Sequence, residues 1–89
     1  MSSMRLAFSS DRAKPLSSLA EGEHAIVAEV RGVSAGRAER LLALGVTPHA
    51  RVIMLQRFPG VVFLCDQTEL AVERAVAEAI LVRPEEKHR

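Results

Sequence analysis

The chain has 89 residues, 48% hydrophobic and 26% charged, with 12 Lys and Arg against 11 Asp and Glu for a formal net charge of +1. That is one small globular domain with a modest core, and neither its charge nor its three Phe, without Trp or Tyr, suit a basic nucleic-acid clamp or a base-stacking platform. A lone Cys65 excludes an intrachain disulfide and points to a reducing cytosol, and no apolar run reaches the roughly 20 residues of a membrane helix, so no direct membrane insertion is expected.

Met1 to Lys14 lacks periodicity and reads as a flexible tail, with the folded domain over residues 15–84 and a charged tail over 85–89. Leu16 and Leu19 are spaced for one helical turn, closed by Gly22. His24 to Arg31 alternates as a strand, with Ile26, Ala28 and Val30 on one face and Ala25, Val27, Glu29 and Arg31 on the other, where the polar residues gather. A glycine loop leads to a short helix over Ala35 to Leu44, with Ser34 as N-cap and Gly45 as C-terminal cap. Its buried stripe is predicted as Ala38, Leu41, Leu42 and Gly45, with Leu44 off centre and Arg37 and Arg40 outward.

After the turn Val46 to His49, Ala50 to Phe58 reads as a strand apolar on both sides, Val52 and Met54 against Ile53 and Leu55. Pro59 and Gly60 turn it into a returning strand, Val61 to Cys65. Asp66 to Thr68 makes the next turn, and Glu69 to Val72 a short strand. Glu73 to Glu78 reads as a single helical turn and Ala79 to Arg83 as the last strand, preferred over one helix from Glu73 to Val82 because Ile80, Leu81 and Val82 favour β structure. About five short strands and one short helix in so little chain predict a mainly β fold, a small closed or nearly closed barrel.

The chemistry is sparse. No nucleophile elbow or phosphate loop is present, and Cys65, in an apolar strand beside Asp66, has its thiol pKa raised rather than lowered. The histidines lack zinc-ligand spacing, so no dedicated metal site and no required cofactor are expected. A divalent metal bound here would occupy a weak, exposed, partly hydrated site, with His24, Glu21 and Glu23 as one candidate set and His49, completed by a symmetry mate or partner, as another. A partner surface is the stronger reading. Ile53 and Leu55 lie opposite Val52 and Met54, one interior cannot take both sets, and Leu44 joins the surplus. The same apolar strand faces make a homodimer reasonable.

Three segments in order carry a family resemblance. They are Leu16, Leu19, Gly22 and Glu23 leading into Ala25 to Gly32; Arg40 to Pro48; and Leu70 to Val72 followed by Ala77 and Ile80 to Val82. Together they resemble the FeoA family of ferrous-iron transport accessory proteins. The resemblance implies an SH3-like β-barrel and a non-enzymatic cytoplasmic protein of bacterial ferrous-iron uptake, peripheral to the inner membrane through a FeoB-type permease with a GTP-binding domain. On that reading Arg37, Arg40, Leu44, His49, Ile53 and Leu55 are the partner-contact candidates, with Leu44 as apolar anchor and the arginines as rim. The chain departs from the family pattern at His49, where Gly is usual, in its two turns at Pro59–Gly60 and Asp66–Thr68, and at Glu73, where Arg is usual. The alternative is a free-standing regulatory module that binds a transcription factor or RNA; the near-neutral charge and the lack of aromatics disfavour RNA.

Overall fold

A computed structural model describes residues 13–85. The tails expected over 1–14 and 85–89 therefore lie outside the described residues, except for 13, 14 and 85. Lys14 is not tail: it opens a two-residue strand, β1 (Lys14–Pro15). A 3₁₀ turn follows (Leu16–Ser18), then β2 (His24–Val30), α1 (Ala35–Ala43), β3 (Arg51–Gln56), β4 (Val61–Cys65), β5 (Thr68–Val72), α2 (Arg74–Ala79) and β6 (Ile80–Pro84). The six strands form one antiparallel sheet in the order β1-β6-β2-β3-β4-β5, and the sheet is not closed. β1 and β5 are its edges.

The five predicted strands are all present, and β1 is the addition. Two residues carry no periodicity, and Lys14 and Pro15 become a strand only because β6 offers them Val82 and Leu81 to pair with. The turn after β5 is the short helix α2, and Ile80 begins a strand instead of prolonging that helix.

The interior is one apolar cluster. Leu16 and Leu19 of the first turn, Val27, Val52, Met54, Val61, Phe63, Ala77, Ile80 and Val82 are all completely or almost completely buried. The leucine spacing closes as predicted: the Leu19 amide donates to the Leu16 carbonyl at 3.0 Å, and both side chains are buried. The Ser18 hydroxyl donates to the Pro15 carbonyl at 2.7 Å, fixing the entry to this turn.

The two faces of β2 do not keep the single alternation of the sequence. Ala25 and Val27 are fully buried, whereas Ile26 is only half-buried. The cause is a bulge. Val27 pairs with Val82 but Glu29 pairs with Leu81, so Ala28 is an extra residue and the in–out alternation changes phase there. Beyond the bulge Val30 packs on the core while Glu29 and Arg31 ion-pair with each other outside, at 2.6 Å. A phase change of this kind merges two half-patterns that a single alternation cannot fit.

β3 has a similar break. Val52 pairs with Cys65 and Met54 with Phe63, all inward, and Leu55 is the unpaired residue before Gln56 meets Val62. Val52 and Met54 thus take the core as predicted, Ile53 is half-buried on the other face, and Leu55 is exposed.

The stripe of α1 is narrower than predicted. Leu41 is buried, Ala38 is half-buried and Leu42 is 51% exposed. The helix meets the core along one line that runs through Leu41 to Val46, and Leu42, one position round the helix, turns to solvent.

Adjacent positions on β3 test this interior. Met54→Ala should cost about 2–5 kcal/mol in a denaturant melt, as for other buried Met truncations, while Leu55→Ala should stay within about 0.5 kcal/mol.

Candidate functional site

The exit from α1 builds the surface of most interest. At its start the Ser34 hydroxyl accepts the Arg37 amide at 3.2 Å, the predicted N-cap. At its end the Gly45 amide donates to the Leu42 carbonyl at 3.0 Å and the Val46 amide to the Leu41 carbonyl at 2.9 Å. This pairing is a Schellman closure, which needs a left-handed residue, and Gly45 supplies it with φ 101°. Leu41 and Val46 meet inside, both nearly fully buried. The same geometry turns Leu44 outward, 45% exposed. The Cys65 thiol donates to the Gly45 carbonyl at 3.4 Å and ties the closure to the end of β4. Burial, and then the Asp66 charge, raise the Cys65 pKa, as the sequence predicted, so the thiol stays protonated and is a structural group.

The next turn is stitched to β2. The His49 amide donates to the Val27 carbonyl at 2.9 Å, the Val27 amide to the Ala50 carbonyl at 2.8 Å and the Ala50 amide to the Thr47 carbonyl at 3.0 Å. Pro48 holds the first inner position of this turn, and His49 the second with φ 80°. A type II turn wants Gly there, and His49 adopts the left-handed region at a cost a glycine would not bear.

Arg37, Arg40, Leu41 and Leu44 form one wall of an open groove of about 260 Å³. Ala71 and Val72 from the end of β5, Glu73, and Val76 from α2 form the other. The structure therefore brings three of the predicted contact residues, Arg37, Arg40 and Leu44, to one place. His49, Ile53 and Leu55 do not line it. His49 is exposed in its turn, and Ile53 lies in a second, more polar cleft with His24, Arg51, Asp66, Gln67 and Glu85. Ala71, Val72 and Glu73 drew notice only through the family pattern and Val76 not at all, none of them as a contact; the sheet order, with β5 at the edge, places them opposite α1.

The metal candidates are not gathered. Glu23 is engaged within the first turn: its Oε1 accepts the Ala20 amide at 2.9 Å and its Oε2 meets Lys14 at 3.4 Å. The Ala20 hydrogen bond, aided by the Lys14 charge, outweighs partial desolvation and lowers the Glu23 pKa. His24 instead faces Glu85 across the second cleft, Nδ1 to Oε1 at 3.6 Å, while Glu21 and His49 are exposed elsewhere. Among the described residues no three His, Cys, Asp or Glu side chains come together as a metal-holding group.

One feature at the β3–β4 hairpin carried no signal in the sequence. Phe58 is 65% exposed, with the Arg74 guanidinium 4.5 Å and the Arg57 guanidinium 5.8 Å from its ring centroid. Arg74 Nη2 also donates to the Arg57 carbonyl at 2.9 Å, which ties α2 to the hairpin.

Comparison with known proteins bears on both fold and site. The FeoA domain matches residues 14–84. The solution structure of the FeoA protein from Chlorobium tepidum superposes with a TM-score of 0.76 at 27% identity, over 84% of this chain and 73% of that one. The zinc-complexed crystal structure of Stenotrophomonas maltophilia FeoA, described as a procaryotic SH3 domain protein, superposes with a TM-score of 0.69 at 26% identity, over 76% and 87% of the two chains. T. acidophilum IdeR reaches a TM-score of 0.76 at 17% identity, with 94% of this chain covering 37% of that one, a likeness of fold alone. No curated protein sequence matches the chain. The fold is thus SH3-like, as the sequence resemblance implied.

Two outcomes check the local geometry. His49→Gly should raise stability by up to about 1 kcal/mol, since it relieves a left-handed side chain and bears only the entropy of glycine; thermal melts should show a rise of several degrees. The Glu23 carboxylate, with its pKa lowered by folding, contributes stability that is complete above the ordinary glutamate range and lost as pH falls through its folded value. Glu23→Gln should therefore lower stability near neutral pH and flatten the acid limb of a stability–pH curve.

Proposed function

This chain belongs to the FeoA family, and from that premise we propose that it is a non-enzymatic accessory protein of bacterial ferrous-iron uptake which docks on the cytosolic part of a FeoB-type permease through the groove between α1 and β5. The observation that carries this reading is the convergence of Leu44, Arg37 and Arg40 on one rim. A large apolar side chain standing nearly half exposed at the end of a helix that also brings Arg37 and Arg40 to the groove has the composition of an interface anchor. The rigid Schellman closure beneath Leu44 means that little order has to be gained when the anchor is buried.

On this reading the protein works at the cytoplasmic side of the inner membrane, held there by its partner. No helix among the described residues is long and apolar enough to cross a membrane. The permease supplies the transport pathway and the nucleotide chemistry, while this chain contributes a preformed surface that supports or regulates it. The likeness to IdeR extends to fold only, and the balanced charge gives no reason to assign a nucleic-acid partner.

Calorimetry of the chain with the matching full-length permease in detergent, with a GTP analogue, GDP or no nucleotide, tests this. Saturable binding that Leu44→Asp weakens by about tenfold or more, with the melting curve unchanged because the residue is exposed, is the expected outcome. Unchanged affinity in the folded variant would remove the α1 rim from the contact, and no binding in any nucleotide state would overturn the docking reading itself.

A further inference from the structure

The groove has a second property that Leu44 does not explain. β5 is an edge strand, paired on one side with β4 only. The two-residue turn Asp66–Gln67 sets Cys65 opposite Thr68, so the main chain of Thr68, Leu70 and Val72 bonds back to β4. The amides and carbonyls of Glu69 and Ala71 point the other way, and they make no other backbone hydrogen bond among the described residues. Natural edges of this length are commonly blunted by Pro, a bulge or a covering element. β1, the opposite edge, is two residues long and includes Pro15, and it is blunted; β5 has five residues in unbroken register, and α1 leaves a gap beside its end.

Charge adds the second observation. The charged side chains lining the groove are Arg37, Arg40 and Glu73. None of the three forms an ion pair with another described residue. The lining has a net positive charge, and its apolar part is Leu41, Leu44, Ala71, Val72 and Val76.

We propose that this groove binds an extended acidic segment of a partner protein by strand addition to β5, with the backbone of Glu69 and Ala71 pairing with the added strand and Arg37 and Arg40 holding its carboxylates. This identifies the kind of segment that the docking reading above requires, and it rests on that reading only for the identity of the partner. Main-chain pairing supplies register, the apolar part of the lining takes alternate side chains, and the arginines select against a basic strand. A second copy of this chain is a poorer occupant. Its own β5, Thr68–Val72, would offer the arginines a single carboxylate, Glu69, and the register centred on Ala71 would set that residue opposite Glu73.

The test needs no permease. The isotope-labelled chain is titrated with a short peptide alternating Asp and Val, and separately with one alternating Lys and Val, while amide signals and amide exchange are followed by NMR. The acidic peptide should shift the signals of Arg37, Arg40, Glu69 and Ala71 and slow exchange of the Glu69 and Ala71 amides, and the basic peptide should bind at least about tenfold more weakly. Arg37→Glu combined with Arg40→Glu should weaken the acidic peptide by about tenfold, and Glu73→Gln should strengthen it. Equal binding of both peptides, shifts confined to the Phe58 hairpin or the second cleft, no binding at all, or self-association through β5 that excludes the peptide would each overturn the proposal. Because the permease is absent, failure here is distinguishable from failure of Leu44→Asp to affect docking.

Discussion

A chain of this length can bury one face of one sheet, and that limit shapes everything outside the core. Phe63, Met54, Val27, Ile80 and Val82 fill the interior from four neighbouring strands, and Leu16 and Leu19 add to it from the 3₁₀ turn. Each strand that enters the core with alternate residues must leave its other residues outside, however apolar they are. β2 and β3 adjust to this with one bulge each, at Ala28 and Leu55. Bulges add local twist and bend a strand, which lets a short sheet wrap its single interior without closing.

The same limit makes α1 a surface element. Its hold on the core is the line through Leu41 to Val46, locked by the Gly45 closure and by the Cys65 thiol. Everything else on the helix, including Leu42, Leu44, Arg37 and Arg40, remains available to another molecule. Opposite it the sheet ends in β5, whose outer main chain has no partner strand among the described residues. A groove between a fixed helix and an unpaired strand edge follows from the topology and requires no special loop. Affinity in such a place comes from a few anchored side chains and from main-chain pairing, so it tolerates wide sequence variation elsewhere in the domain.

Much of the fold was legible because its signals are local. Ser34 and Gly45 bracket α1, Pro59 with Gly60 marks the β3–β4 hairpin, and the leucine pair sets the first turn; in each case the residue type dictates the backbone it adopts. What could not be read depends on pairing between distant segments. The phase change at Ala28 arises from register with β6, far along the chain, and it separates Ala25 and Val27 from Glu29 and Arg31, which a single alternation puts on one face. β1 exists only in the presence of β6. Three of the residues lining the candidate site were legible because they are local, Arg37 and Arg40 on α1 and Leu44 at its C-terminal cap, whereas Ala71, Val72, Glu73 and Val76 reach the groove through sheet order. His49 drew attention as a departure from glycine, and its φ of 80° accounts for it as a backbone position, outside the groove.

The α1–β5 groove is the surface proposed to face the permease. Hydrogen–deuterium exchange of this chain, alone and with the full-length FeoB-type permease in detergent, is the direct test. Exchange should slow in residues 37–44 and 69–73, with the Phe58 hairpin and the His24–Glu85 cleft unaffected. Protection centred on either of those two regions, or none in a complex shown to have formed, would contradict that proposal.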